Sequence, residues 1–87
     1  MKIIYAPRFA RQYKKLPSEL KSLAERKEKV FRASPFNPIL NTHRLHGRLR
    51  DFWVFSINSR YRIIFEFGDK NLVYFLLIGD HSVYERL

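Results

Sequence analysis

Three apolar segments, DFWVFSI at 51–57, RYRIIFEF at 60–67 and NLVYFLLIG at 71–79, are separated only by Asn58-Ser59 and by Gly68-Asp69-Lys70. Parallel strands need a crossover of about a dozen residues or more, so connections this short leave antiparallel hairpins as the only way to pair the three. In the middle segment Tyr61, Ile63, Phe65 and Phe67 alternate with Arg62, Ile64 and Glu66. Successive strand side chains point to opposite faces. If the aromatic set faces a core, Arg62 and Glu66 project from the other side, which becomes the working face.

The rest of the chain supplies what covers that core. KIIY at 2–5 reads as a short strand that ends at Ala6-Pro7. A helix is predicted over 7–15, with Pro7 in its first turn and Phe9, Tyr13 and Leu16 at helical spacing. Ser18 is placed to cap a second helix, in which Leu20, Leu23, Ala24, Val30 and Phe31 recur until Ser34-Pro35 stops it. PFNPILNTHRLHG at 35–47 has the composition of a loop. The expected order is β-α-α-β-β-β, an α+β fold in which an N-terminal helical hairpin packs on a twisted antiparallel sheet. With 87 residues the chain forms a single domain over 1–87 with one core. Trp53, the sole tryptophan, is assigned to that core rather than to a stacking platform.

Charge narrows the partners. Seventeen Lys and Arg against eight Asp and Glu give a net +9, a positive field that fits nucleic acid or an acidic protein. Nine of the basic residues and only three glutamates fall between Arg8 and Arg32. Arg11, Lys14, Lys15, Lys21 and Arg26 are therefore read as a phosphate-tracking surface that positions the protein on RNA without reading sequence. The absence of cysteine excludes disulfides and thiolate zinc sites, and no metal or cofactor is implied. The longest apolar run, LVYFLLI, is seven residues, well short of the ~20 that span a bilayer. A soluble, cytoplasmic protein with no membrane partner is expected.

The three histidines are His43, His46 and His81, and imidazole is the side chain suited to proton transfer near neutrality. Cleaving RNA through its 2′-hydroxyl needs a base, a cationic clamp on the phosphorane and an acid for the 5′-oxygen. His43 or Glu66 can be the base, Arg62 with Arg48 or Arg50 the clamp, and His81 the acid. Tyr84 is placed to stack on a base or to hold the phosphate. The bland alternatives are an Arg62–Glu66 ion pair along one strand and a Tyr84 that only covers the sheet edge. His46 is left as a loop residue, and Glu85, Arg86 and Leu87 are expected to be mobile.

The stretches HRLHGRLRDFW (43–53), SINSRYRIIFEF (56–67) and LIGDHSVY (77–84), in this order behind a two-helix half, resemble the RelE/ParE superfamily of type II toxins, in particular its RelE-, YoeB- and YafQ-like ribonucleases. The resemblance implies a microbial-RNase-like fold that cuts messenger RNA in the ribosomal A site and is silenced by a cognate acidic antitoxin. It implies that His43 is the base in preference to Glu66, that Arg62 stabilises the transition state, that His81 is the acid or a phosphate contact, and that Tyr84 is the terminal aromatic. The helical basic surface then falls on ribosomal RNA. Many members carry a second arginine where this chain has Ser56, which shifts the clamp toward Arg48 or Arg50. Two other functions are compatible with the sequence: a ParE-like inhibitor of DNA gyrase that hydrolyses nothing, and a basic binding module with a decayed site.

Overall fold

The structure, a computed structural model, describes residues 1–87. Strand β1 (Lys2–Tyr5) leads into helices α1 (Pro7–Lys14) and α2 (Ser18–Ala33), then a 3-10 turn η1 (Pro38–Leu40) and a short strand β2 (His43–Arg44). A second turn η2 (Gly47–Leu49), strands β3 (Trp53–Ser56), β4 (Arg62–Phe67) and β5 (Leu72–Gly79), and a 3-10 segment η3 (His81–Arg86) complete the chain. One five-stranded sheet runs in the order β1-β5-β4-β3-β2.

The α+β architecture and the meander β3-β4-β5 are as the sequence predicts, with differences that have local causes. The sheet is mixed, not wholly antiparallel, because β1 pairs parallel to β5 from Lys2 opposite Leu72 to Tyr5 opposite Phe75. Two helices separate β1 from the other strands, so its direction is not bound by the short-connection rule. The expected loop at 35–47 contains β2, in which His43 pairs with Val54 and Arg44 with Trp53. The helix α2 starts one residue early, with Pro17 at the N-cap position and no side-chain cap. The β3–β4 connection is wider than two residues: Ile57 N–H donates to Tyr61 O, while Asn58 Oδ1 accepts from the N–H groups of Arg60 and Tyr61 at 2.9 and 2.7 Å.

Between β4 and β5, Gly68 does not carry the tight turn. Lys70 and Asn71 do, at φ 50° and 68°, with Leu72 N–H donating to Asp69 O at 3.0 Å. Two consecutive positive φ values give the turn whose twist matches a hairpin.

Both faces of the sheet are covered, unequally. The helices pack on one face, where Phe31 of α2 is fully buried. Its ring lies 4.7 Å from Phe55, 4.9 Å from Phe65 and 5.6 Å from Phe75. Phe9 of α1 meets Phe75 at 5.5 Å, and Gln12 Oε1 accepts from the N–H of Ile78 at 2.9 Å. Trp53 packs half-buried against this core. On the other face Val54, Ile64, Leu77 and Val83 form a smaller cluster, flanked by Leu45, Phe52, Leu76, Tyr84 and Leu87.

An irregularity in β5 serves both. Ile64 is opposite Leu77 but Phe65 is opposite Phe75, so Leu76 is the extra residue of a bulge. Phe75 and Ile78 therefore both join the helix-side core, although three residues apart, and Leu77 with Leu76 joins the other.

Candidate active site

The face opposite the helices holds the sequence's candidates. In the register His43–Val54–Ile64–Leu77, one strand row runs across the sheet. A second row is Ser56–Arg62–Gly79. Arg62 and Ile64 are two apart on β4, so they share a face, and His43 joins them through its pairing row. Two strand spacings and a two-residue offset put His43 about 12 Å from Arg62 along the backbone. Their side chains flank a strip of sheet.

Arg62 is the centre of the arrangement. Its Nη1–H donates to the Tyr84 hydroxyl at 3.1 Å, and the guanidinium lies over the Tyr84 ring, 5.8 Å from its centroid. Its Nε is buried and has no hydrogen-bond partner. Buried polar atoms are nearly always satisfied, so this enclosed N–H is an unmet donor and marks Arg62 as the atypical side chain of the sheet. The anticipated Arg62–Glu66 ion pair does not form. Glu28 with Arg32 is the one ion pair of the chain, and Glu66 sits opposite Tyr74, about 13 Å along β4 from Arg62.

The C-terminal segment brings Tyr84 to Arg62. Gly79 ends β5, and a Cβ there would lie 2.7 Å from Val83 Cγ1, so only glycine lets η3 fold back this tightly. Asp80 Oδ1 accepts from Ser82 N–H at 3.0 Å and starts η3, the local role of a capping carboxylate. Hydrogen bonds from Ser82 hold the Asp80 carboxyl below the usual aspartate range. Val83 then buries against the sheet, and Leu87 packs on the same cluster. Of residues 85–87, Leu87 flanks the second core while Glu85 and Arg86 are exposed, and Arg8 Nη1–H donates to Arg86 O at 3.4 Å. His81 opens η3, exposed, with its ring 6.3 Å from that of Tyr84. Tyr84 covers the sheet and holds Arg62 at the same time.

His43 is exposed on β2, and its Nδ1 lies 2.8 Å from the carbonyl of Asn41. A carbonyl can only accept, so Nδ1 carries the hydrogen, and in the neutral ring the lone pair is on Nε2. Asn41 adopts the left-handed conformation at φ 51°, which asparagine tolerates better than most residues. That turn aims the carbonyl at His43. Asn41 is not among the candidates read from the sequence, and Gly79 enters there only within LIGDHSVY, although Asn before a strand and Gly after one are signals for such roles.

Arg48 and Arg50 lie exposed in and beside η2, at the Trp53 end of β3, whereas Arg62 pairs with Ser56 at the other end. Neither bonds to Arg62, Tyr84 or His81. Gly47, at φ 66°, opens this turn. On the helices, Arg11, Lys14, Lys15 and Arg26 are exposed, while Lys21 is half-buried with its ammonium 5.9 Å from the centre of the Tyr13 ring. These cations stand on the helical side, across the sheet from Arg62. No group of three or more His, Asp or Glu side chains gathers to hold a metal, and no helix is long and apolar enough to cross a membrane.

The profile for the ParE toxin of the type II toxin–antitoxin system parDE matches residues 3–83. Among curated proteins none matches. Solved structures of similar fold include a YoeB/ParE toxin from Agrobacterium tumefaciens, 13% identical over 93% of this chain and 99% of that one, with a TM-score of 0.79. The DinJ-YafQ toxin-antitoxin complex of E. coli gives 17% identity, 94% and 93% coverage and a TM-score of 0.76. The YoeB-YefM complex from Staphylococcus aureus gives 16%, 93% and 97%, and 0.76.

Proposed function

We propose, from the premise that this chain belongs to the family of ParE toxins of type II toxin–antitoxin systems, that it is a ribosome-dependent endoribonuclease cutting messenger RNA in the A site. The observation that carries this reading is the Arg62 guanidinium, held by Tyr84 with its Nε buried and unpartnered, on the same sheet face as His43. A guanidinium turned outward from Tyr84 presents its N–H groups to a phosphodiester oxygen and gains charge-assisted hydrogen bonds.

The reaction assigned to these residues is attack of the ribose 2′-oxygen on phosphorus with departure of the 5′-oxygen. His43, neutral with Nε2 as acceptor, takes the 2′-hydroxyl proton. Arg62 stabilises the charge that develops on the phosphorane. His81, protonated, gives its proton to the departing 5′-oxygen, and the products are a 2′,3′-cyclic phosphate and a 5′-hydroxyl. Tyr84 orients Arg62. The basic helical residues Arg11, Lys14, Lys15, Lys21 and Arg26, with Arg48 and Arg50 on the η2 turn, bind phosphates of the ribosomal RNA and messenger. The partner that silences the chain is a cognate antitoxin, the kind of protein with which YafQ and YoeB are complexed in the structures of similar fold.

The test maps cleavage of messenger on programmed ribosomes with the wild-type protein and with His43→Ala/His81→Ala. Cuts within codons that vanish in the double variant support the reading, and cuts that persist refute it. The match to the ParE toxin family keeps the other function that the sequence resemblance implies in view, inhibition of DNA gyrase without hydrolysis. A protein that blocks supercoiling and leaves ribosome-bound messenger intact belongs to that second class.

A further inference from the structure

The α2–β2 connection displays two of the most exposed large apolar side chains of the molecule, Phe36 and Ile39, each 57% exposed. Single exposed apolar residues need no explanation, but Phe36 belongs to a built aromatic surface, and Ile39 follows it on the same braced loop. Phe36 stacks on Phe67 with centroids 6.0 Å apart and meets Trp53 edge-on at 5.6 Å. Phe67, itself 40% exposed, lies 5.3 Å from Trp53. The loop that presents them is braced at three points. Thr42 Oγ1 donates to Pro35 O at 2.6 Å, Asn37 Oδ1 accepts from Ile39 N–H at 3.0 Å, and Leu40 is fully buried as an anchor. Exposed apolar groups held rigid lose little further entropy when a partner covers them.

Beside this surface lies a cation without a counter-charge. The Arg44 guanidinium sits over the Trp53 ring, 6.0 Å from its centroid, fixed by a hydrogen bond from its Nε to the carbonyl of Arg50. No carboxylate pairs with it, since the single ion pair of the chain is Glu28 with Arg32. Aromatic anchors ringed by arginine are the composition of energetic centres in protein interfaces. A nucleobase platform fits less well: the Phe36 ring is stacked on Phe67, Trp53 already carries Arg44, and Ile39 offers no π-face.

We infer that Phe36, Ile39, Phe67 and Trp53, with Arg44, form the docking surface for an acidic amphipathic segment of the antitoxin. Apolar anchors of the segment cover the aromatic cluster and its carboxylates pair with Arg44. This rests on the antitoxin half of the proposed function and not on the ribonuclease half. Trp53 and Phe65 share a row on the helix side of the sheet, so the surface faces away from Arg62. The antitoxin is thus held by contacts separate from the residues assigned to chemistry.

The sole tryptophan reports on this surface. The cognate antitoxin is titrated into the toxin while Trp53 emission is followed, and the same titration is run with a single-stranded RNA oligonucleotide. The expected result is a blue shift with the protein and none with the RNA, and a loss of affinity of about 30-fold or more for Ile39→Asp and for Arg44→Glu. Ile39 is largely exposed, and a circular dichroism melt checks that both variants fold. Ile39→Asp, on the loop away from Arg62, keeps the cleavage pattern of the parent, whatever that pattern is, so failure of the ribonuclease reading and failure of this one are told apart. Unchanged affinity in both variants overturns the inference. So does an emission shift produced by RNA and not by the protein, or one produced by raising the toxin concentration alone.

Discussion

Arg62 has one end of its guanidinium held by the Tyr84 hydroxyl, while its buried Nε–H has no partner. Arg62→Ala is expected to lower single-turnover cleavage on ribosomes by ~10²–10³-fold, the loss typical of one preorganised donor, and Arg62→Lys is expected not to restore it because an ammonium lacks the planar fork. Tyr84→Phe removes only the orienting hydrogen bond, and a loss of about tenfold is expected. A Tyr84→Phe defect as deep as that of Arg62→Ala would place the hydroxyl in the chemistry itself. A different residue-scale prediction concerns the β4–β5 turn. Lys70 occupies the left-handed region at φ 50°, which costs a side chain with a Cβ roughly 1–2 kcal/mol. Lys70→Asn with Asn71→Gly is expected to stabilise the protein by about 1 kcal/mol, read as a higher denaturant midpoint. At this scale the sequence is informative about types and poor about orientations. Arg62 was visible from its place in an alternating strand. The tautomer of His43 was not, because it depends on a backbone carbonyl turned by the left-handed Asn41.

Among the elements, η3 decides whether the site is complete. Gly79→Ala places a methyl group 2.7 Å from Val83 Cγ1, and η3 must move. The expected outcome is loss of the Arg62–Tyr84 contact with the helix-side core intact, seen as Tyr84 ring signals shifting in an NMR spectrum while those of Phe31 stay in place. Asp80 makes the same element pH-sensitive. Its carboxyl titrates lower in the folded chain than in the unfolded one, owing to the hydrogen bonds from Ser82. The contribution to η3 is therefore present above the unfolded value and lost as pH falls through the folded one. The Ser82 amide shift should titrate with a midpoint below 3.8, the ordinary aspartate value. A midpoint at or above that value would mean the cap is absent in solution. The sequence misread this element for a physical reason. HSVYERL buries only Val83, too little apolar periodicity to mark a short 3-10 turn. The strand β2 escaped notice similarly, because two residues between loop signals carry no alternation. By contrast, the three long strands were legible from their connectors alone.

Taken whole, the molecule is a sheet with a large core on one side and a small one on the other, and its stability rests mainly on the first. Phe31 touches rings from β3, β4 and β5 at once, so Phe31→Ala is expected to cost about 3–5 kcal/mol, measured by urea unfolding. The parallel pairing of β1 with β5 has a kinetic consequence. Lys2 and Leu72 are partners from opposite ends of the chain, whereas β2 to η3, which carry Arg62, His43, His81 and Tyr84, form one contiguous stretch. Contacts close in sequence form first, and the entropy of closing a long loop delays the rest. β1 is therefore expected to join the sheet last, which φ-values near zero for Ile3→Val would show.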